Sequence, residues 1–282
     1  MNVARGTAWT WVAVACLCAA AWVYVAFSAY GMEHMDIGAE MLLMPAMTNW
    51  QLKDLALVLL MWIVMMAAMM LPSTVTMLRS FVEIGRRMEV PRAPFDTLGF
   101  VAGYLVSWTA YSFFVTLLQW KLLEERLVSP MMQTSSIWLS ATLLLIAGAY
   151  QFTSWKERCL TGCRSPISFL AQEWRPNFFG AMRMGWRHGL DCIGCCWVLM
   201  LLLFVLGVMN LTWNVVLAVL VILEKHVPRE RWFLRISGTA FIVWGLIVIA
   251  TGTMSETICS PRKLIESVNG VGLRIFVVLQ PN

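Results

Sequence analysis

Apolar runs of about twenty residues, closed at both ends by charge, recur along this chain, and a run of that length crosses the hydrocarbon of a bilayer as one helix. They cover 9–30, 52–71, 98–120, 137–155 and 232–250, and a longer run covers 190–227. The long run exceeds one ordinary span. Gly207-Val208-Met209-Asn210 in its middle offers a helix stop followed by an N-cap, which predicts a tight hairpin of two short spans, 190–207 and 210–227. The expected fold is therefore an all-α polytopic membrane helix bundle of about seven transmembrane helices, or six if the long run crosses once. Residues 1–250 form a single transmembrane domain in this reading, and 251–282 a short tail. Composition agrees: 60% hydrophobic residues against 13% charged, with mean hydropathy +0.71, exclude a soluble domain and with it most enzyme classes.

Charge sets the expected orientation. Lys and Arg concentrate in 79–92, 156–187 and 225–235, which places those loops and the N-terminus in the cytoplasm and the C-terminal tail in the periplasm. The net charge of +5 then reports topology and lipid contact, not a nucleic-acid partner. The Arg residues of the 156–187 loop are read as contacts to anionic lipid. An alternative for the first run is a cleaved signal peptide, since Arg5 precedes an apolar core and Ala26-Phe27-Ser28 suits cleavage.

Eight cysteines are present, and five of them, Cys159, Cys163, Cys192, Cys195 and Cys196, flank one basic loop. On helices the four-residue spacing of Cys159 and Cys163, and the three- and four-residue spacing of Cys192 to Cys195 and Cys196, put each group of sulfurs on one face. A cytoplasmic loop is reducing, which argues against a disulfide framework. Soft thiolates in this pattern select copper(I), with zinc the second choice, and His188, one turn before Cys192, adds an imidazole. Cys16 and Cys18, in the first run, are read as packing residues. Asp191 is a candidate partner of a ligand, whereas Glu224 and Lys225 read as helix-end groups that reach the headgroups.

Methionine gives the second signal. Met66, Met69 and Met70 lie at the end of the second run, which descends to the side where the cysteines sit, and form a thioether group beside the thiols. An outer loop carries Met32, His34, Met35, Met41, Met44 and Met47, a possible outer copper(I) site, because a solvent-facing segment has little packing need for thioethers. Both Met groups also have a packing reading. No catalytic triad, phosphate-binding glycine loop, zinc-protease helix or dinucleotide fingerprint is present.

Five ordered segments resemble a known family. They are Met65-Met66-Ala67-Ala68-Met69-Met70-Leu71-Pro72-Ser73; Gly148-Ala149-Tyr150-Gln151 leading to Cys159 and Cys163-Arg164-Ser165-Pro166; His188-Gly189 running into Cys192, Gly194, Cys195, Cys196 and Trp197; Gly207-Val208-Met209-Asn210-Leu211; and Glu224-Lys225. Together, over roughly 55–250, they resemble a bacterial domain of unknown function described as predicted metal-binding integral membrane proteins. The resemblance implies a protein of the bacterial inner membrane. The expected function is binding of a soft metal, copper(I) first, for handling or delivery, with a metallochaperone or membrane metalloenzyme as partner. Two alternatives stand beside it: a membrane thiol–disulfide oxidoreductase using Cys192 and Cys195, and a structural subunit whose cysteines only pack.

Overall fold

A computed structural model describes residues 2–33, 50–88, 93–128, 134, 136–175, 177–227 and 231–251. Among these residues all regular structure is helical: α1 (Asn2–Glu33), α2 (Leu52–Met70), a 3-10 turn (Pro72–Thr74), α3 (Val75–Arg87), α4 (Ala93–Glu124), α5 (Ile137–Tyr150), α6 (Ser154–Arg164), α7 (Pro166–Glu173), α8 (Phe178–Leu201), α9 (Leu203–Leu206), α10 (Leu211–His226) and α11 (Arg231–Thr251). Helix is the form an apolar chain must take in lipid, because it satisfies every backbone donor within the segment. Five helices are long and apolar enough to cross a bilayer, and α5 with α6, bent by 64° at their junction, make a sixth candidate.

Each of the seven expected spans carries a helix, with three differences. The run 137–155 is not one helix: Gln151-Phe152-Thr153 break it, and the Thr153 side chain caps a new helix by accepting from the Lys156 amide. The 190–207 span begins far earlier, at Phe178, because Asn177 caps it and the polar turns up to His188 remain good helix. The hairpin forms where Gly207 and Asn210 predicted it. Gly207 has φ 93°, and the Asn210 side chain accepts from the Trp213 amide. The helix that follows, α10, has 16 residues, short of the twenty or so of an ordinary span.

α3 and α7 were not foreseen. α3 is amphipathic and buries Met77, Leu78 and Phe81, while Arg86 and Arg87 hydrogen-bond Glu83 on its exposed face, holding that carboxyl below its ordinary range.

The centre of the bundle is the seam between α4 and α8, which run in the same direction. Helices in lipid gain little from burying apolar surface, so close backbone approach through small residues holds them together. A Cβ at Gly103 would overlap the Met182 carbonyl, and one at Gly185 the Phe100 carbonyl. Along the same face of α4, Ser107, Ser112 and Thr116 turn their hydroxyls back to the carbonyls one turn earlier, leaving no bare hydroxyl in the seam. α2 packs on the seam with Trp62 buried, its Nε1 donating to Gln119 at 2.6 Å.

Candidate metal centre

α8 carries Cys192, Cys195 and Cys196 on the face turned to α4 and α6, and all three are buried. Cys195 and Cys196 donate to the Cys192 carbonyl at 3.1 and 3.0 Å, as the three- and four-residue spacing allows. Cys163, buried on α6, lies against the Cys192 and Cys195 thiols. Two glycines set the α6–α8 distance. A Cβ at Gly194 would lie 2.5 Å from the Cys159 sulfur, and one at Gly162 3.1 Å from the Asp191 carboxylate.

The Cys192 sulfur is the hub. The Lys225 ammonium donates to it at 2.9 Å, and the Tyr104 hydroxyl meets it at 3.1 Å. Lys225 also donates to Ser73 Oγ at 2.7 Å, and both Ser73 and Tyr104 donate to the Met70 carbonyl, at 2.8 and 3.1 Å. The 3-10 turn makes this possible: the Thr74 N–H, which in a continuing α-helix would close on the Met70 carbonyl, bonds the Leu71 carbonyl instead, so the Met70 carbonyl is left to side-chain donors. The Met70 carbonyl, Ser73, Lys225, Cys192 and Tyr104 thus join α2, the 3-10 turn, α10, α8 and α4 at one point.

Beside it runs a second buried polar group. Lys156 pairs with Glu224 at 2.7 Å, both side chains nearly inaccessible (0% and 1%), and Gln151 donates to the other Glu224 oxygen at 2.8 Å. Arg164 caps the α10 backbone at the Glu224 carbonyl. An ammonium and a carboxylate are tolerated in such surroundings only when paired and fully hydrogen-bonded, as here. Glu224 and Lys225 are therefore not helix-end groups reaching the headgroups, as sequence suggested. A bend between α5 and α6 brings Lys156 inward to meet Glu224, and Lys225 turns to the thiols.

His188, one turn before Cys192, is buried among Phe100, Tyr104 and Phe169. Its Nε2 bonds Thr74 at 3.1 Å, and its Nδ1 has no partner among the described residues. Met66, Met69 and Met70 are all buried on α2, but what joins the thiol network is the Met70 carbonyl. Cys159 is half-buried, as is Asp191 across the α6–α8 contact. Cys16 faces out of the bundle, against the expected packing role, and Cys18 is half-buried. His34, Met35, Met41, Met44 and Met47 lie outside the described residues, as do the Met32 side chain and the tail beyond 251. Among the described residues no three or more His, Cys, Asp or Glu side chains are grouped to hold a metal ion as they stand. The sulfurs here are engaged in hydrogen bonds, which coordination would have to replace. Sequence reasoning gave no role to Lys156, Ser73, Thr74 or Tyr104; Ser73 stood in a family-like segment and Lys156, a charge at the edge of an apolar run, carried a signal.

Residues 59–248 match a family described as copper chaperone. The chain belongs to this copper chaperone family. The match takes in all five cysteines, His188, Met66, Met69, Met70 and the Glu224-Lys225 pair, and leaves out the Met32–Met47 segment. It agrees with the grouping that the motifs implied and with copper as the metal. No curated protein and no solved structure matches the chain.

Proposed function

We propose that this is an integral protein of the bacterial inner membrane that holds copper(I) in a cysteine-lined centre and passes it to a membrane metalloenzyme or metallochaperone. The observation that carries the reading is the gathering of four buried thiols, Cys163, Cys192, Cys195 and Cys196, around the α6–α8 contact, beside an imidazole whose Nδ1 has no partner among the described residues. Thiolates are the soft donors that copper(I) prefers, and zinc is the other metal this set would take. His188 is placed to serve as auxiliary ligand, with the Nε2 bond to Thr74 fixing the ring. Met66, Met69 and Met70 supply the nearby thioethers, and the Met32–Met47 loop a separate outer site. Cys159, one helical turn from Cys163 and half-exposed, is the sulfur a donor protein would meet first, and Asp191 stands beside it.

The test is copper content after anaerobic loading of the detergent-purified protein. The wild type should retain near-stoichiometric copper, and the Cys195→Ser/Cys196→Ser variant should lose most of it. Unchanged stoichiometry in that folded variant would remove the assignment. Cys159→Ser should keep the stoichiometry and slow transfer from a copper(I) donor.

A further inference from the structure

Between α1 and the α2–α3 turn lies a cleft of about 460 Å³ that opens to the side of the bundle, lined by Trp11, Val14, Ala15 and Cys18 on one wall and Leu71, Pro72, Val75 and Arg79 on the other. The α1 residues are spaced 3, 4 and 7 from Trp11, one continuous helical stripe, and the opposite wall advances by single turns from Leu71 to Val75 to Arg79. The cleft is therefore a groove along both helix axes. On the second wall Arg79 lies at one end and Leu71 at the other.

Among the described residues Arg79 is the only charged group that lines this groove. It is exposed and has no hydrogen bond or ion pair with any described residue. Its depth follows from packing. Two residues on, Phe81 stacks on Phe100 at 5.3 Å, and the Phe100 carbonyl is what a Cβ at Gly185 would overlap. Arg183 and Arg187, both exposed, flank Gly185 at that same level. Arg79, Arg183 and Arg187 thus all lie within a turn of residues packed around Phe100, near the start of the apolar run of α4 that begins at Leu98. An exposed guanidinium at one end of an otherwise apolar groove matches a lipid whose phosphate lies on the guanidinium and whose chain lies between the apolar walls.

We propose that the α1–α3 groove is a binding site for one anionic phospholipid of the basic-side leaflet, with the phosphate on Arg79 and an acyl chain between Val14, Ala15, Leu71 and Val75. Arg79 forms the fork that a phosphate accepts in pairs of hydrogen bonds, and the apolar walls replace solvent around the chain. The end of the groove is the Leu71-Pro72 turn, whose neighbours Met70 and Ser73 belong to the thiol network, so the bound chain would brace that turn from behind.

The experiment is native mass spectrometry of the full-length protein, delipidated and then mixed with dioleoyl phosphatidylglycerol or with dioleoyl phosphatidylcholine. Wild type should retain one phosphatidylglycerol in preference to phosphatidylcholine. Arg79→Gln, a change at an exposed side chain, should lower that retention about fivefold or more, the effect of one basic residue at an anionic surface. Arg79→Lys should restore part of it, and Arg235→Gln, on α11, should change nothing. Ala15→Trp, which fills the groove and leaves Arg79 in place, should also abolish retention. No preference between the lipids, equal retention by Arg79→Gln, or full displacement by inorganic phosphate at the lipid's concentration would overturn the proposal, the last by showing that the headgroup alone is bound.

Discussion

Lys156, Glu224 and Lys225 show how single charges are kept in an apolar bundle. Lys156 and Glu224 neutralise one another, and Gln151 takes the remaining carboxylate oxygen, so the pair is closed on itself. Among the described residues Lys225 has no carboxylate partner. Its polar contacts are the Ser73 hydroxyl and the Cys192 sulfur, which makes the cysteine its electrostatic partner. The consequence is asymmetric under substitution. Lys156→Met should lower stability by about 3–5 kcal/mol, because it leaves the Glu224 carboxylate buried and unpaired. Lys156→Met combined with Glu224→Gln should recover most of that loss, since the amide keeps a partner in Gln151 and no charge remains. Thermal unfolding of the two variants in the same detergent checks the order, and a double variant no better than the single would contradict it.

Among the elements, the α4–α8 seam governs the geometry of the centre, since Tyr104 reaches Cys192 only because the two backbones touch at Gly103 and Gly185. Gly185→Ala should destabilise by roughly 1–3 kcal/mol, because the atom it meets is a backbone carbonyl that cannot rotate away. Copper retention should fall with it, measured on the fraction that still elutes as a folded monodisperse species. The elements themselves were largely legible in the sequence. Charge-bounded apolar runs located the spans, and Gly207 with Asn210 located the hairpin, because both signals are local. The break at Gln151-Phe152-Thr153 was not foreseen, although Gln151, Thr153 and Ser154 interrupt the apolar run there and Thr153 is an N-cap residue. The cysteine spacing told which sulfurs share a helix face. That α6 meets α8, and that Lys225, Ser73 and Tyr104 join them, depends on packing between distant segments, which periodicity does not encode.

At the scale of the molecule, the basic ends of α3 and α8 and the loop between α6 and α8 lie on one side of the bundle. If that side is cytoplasmic, as the positive-inside rule requires, alkaline phosphatase fused after Arg87 or after Arg175 should be inactive and a fusion after Arg126 active. The opposite pattern would place the thiols outside and favour the oxidoreductase alternative. The burial of Glu224 and Lys225 against earlier helices has a further consequence for biosynthesis. The thiols of α8 leave the ribosome about thirty residues, and those of α6 about sixty, ahead of the pair on α10 that packs over them, a delay on the order of seconds at ordinary rates of synthesis. The nascent protein therefore passes through a stage in which every cysteine of the centre has been made and its last wall has not, and α10 completes the chamber only afterwards.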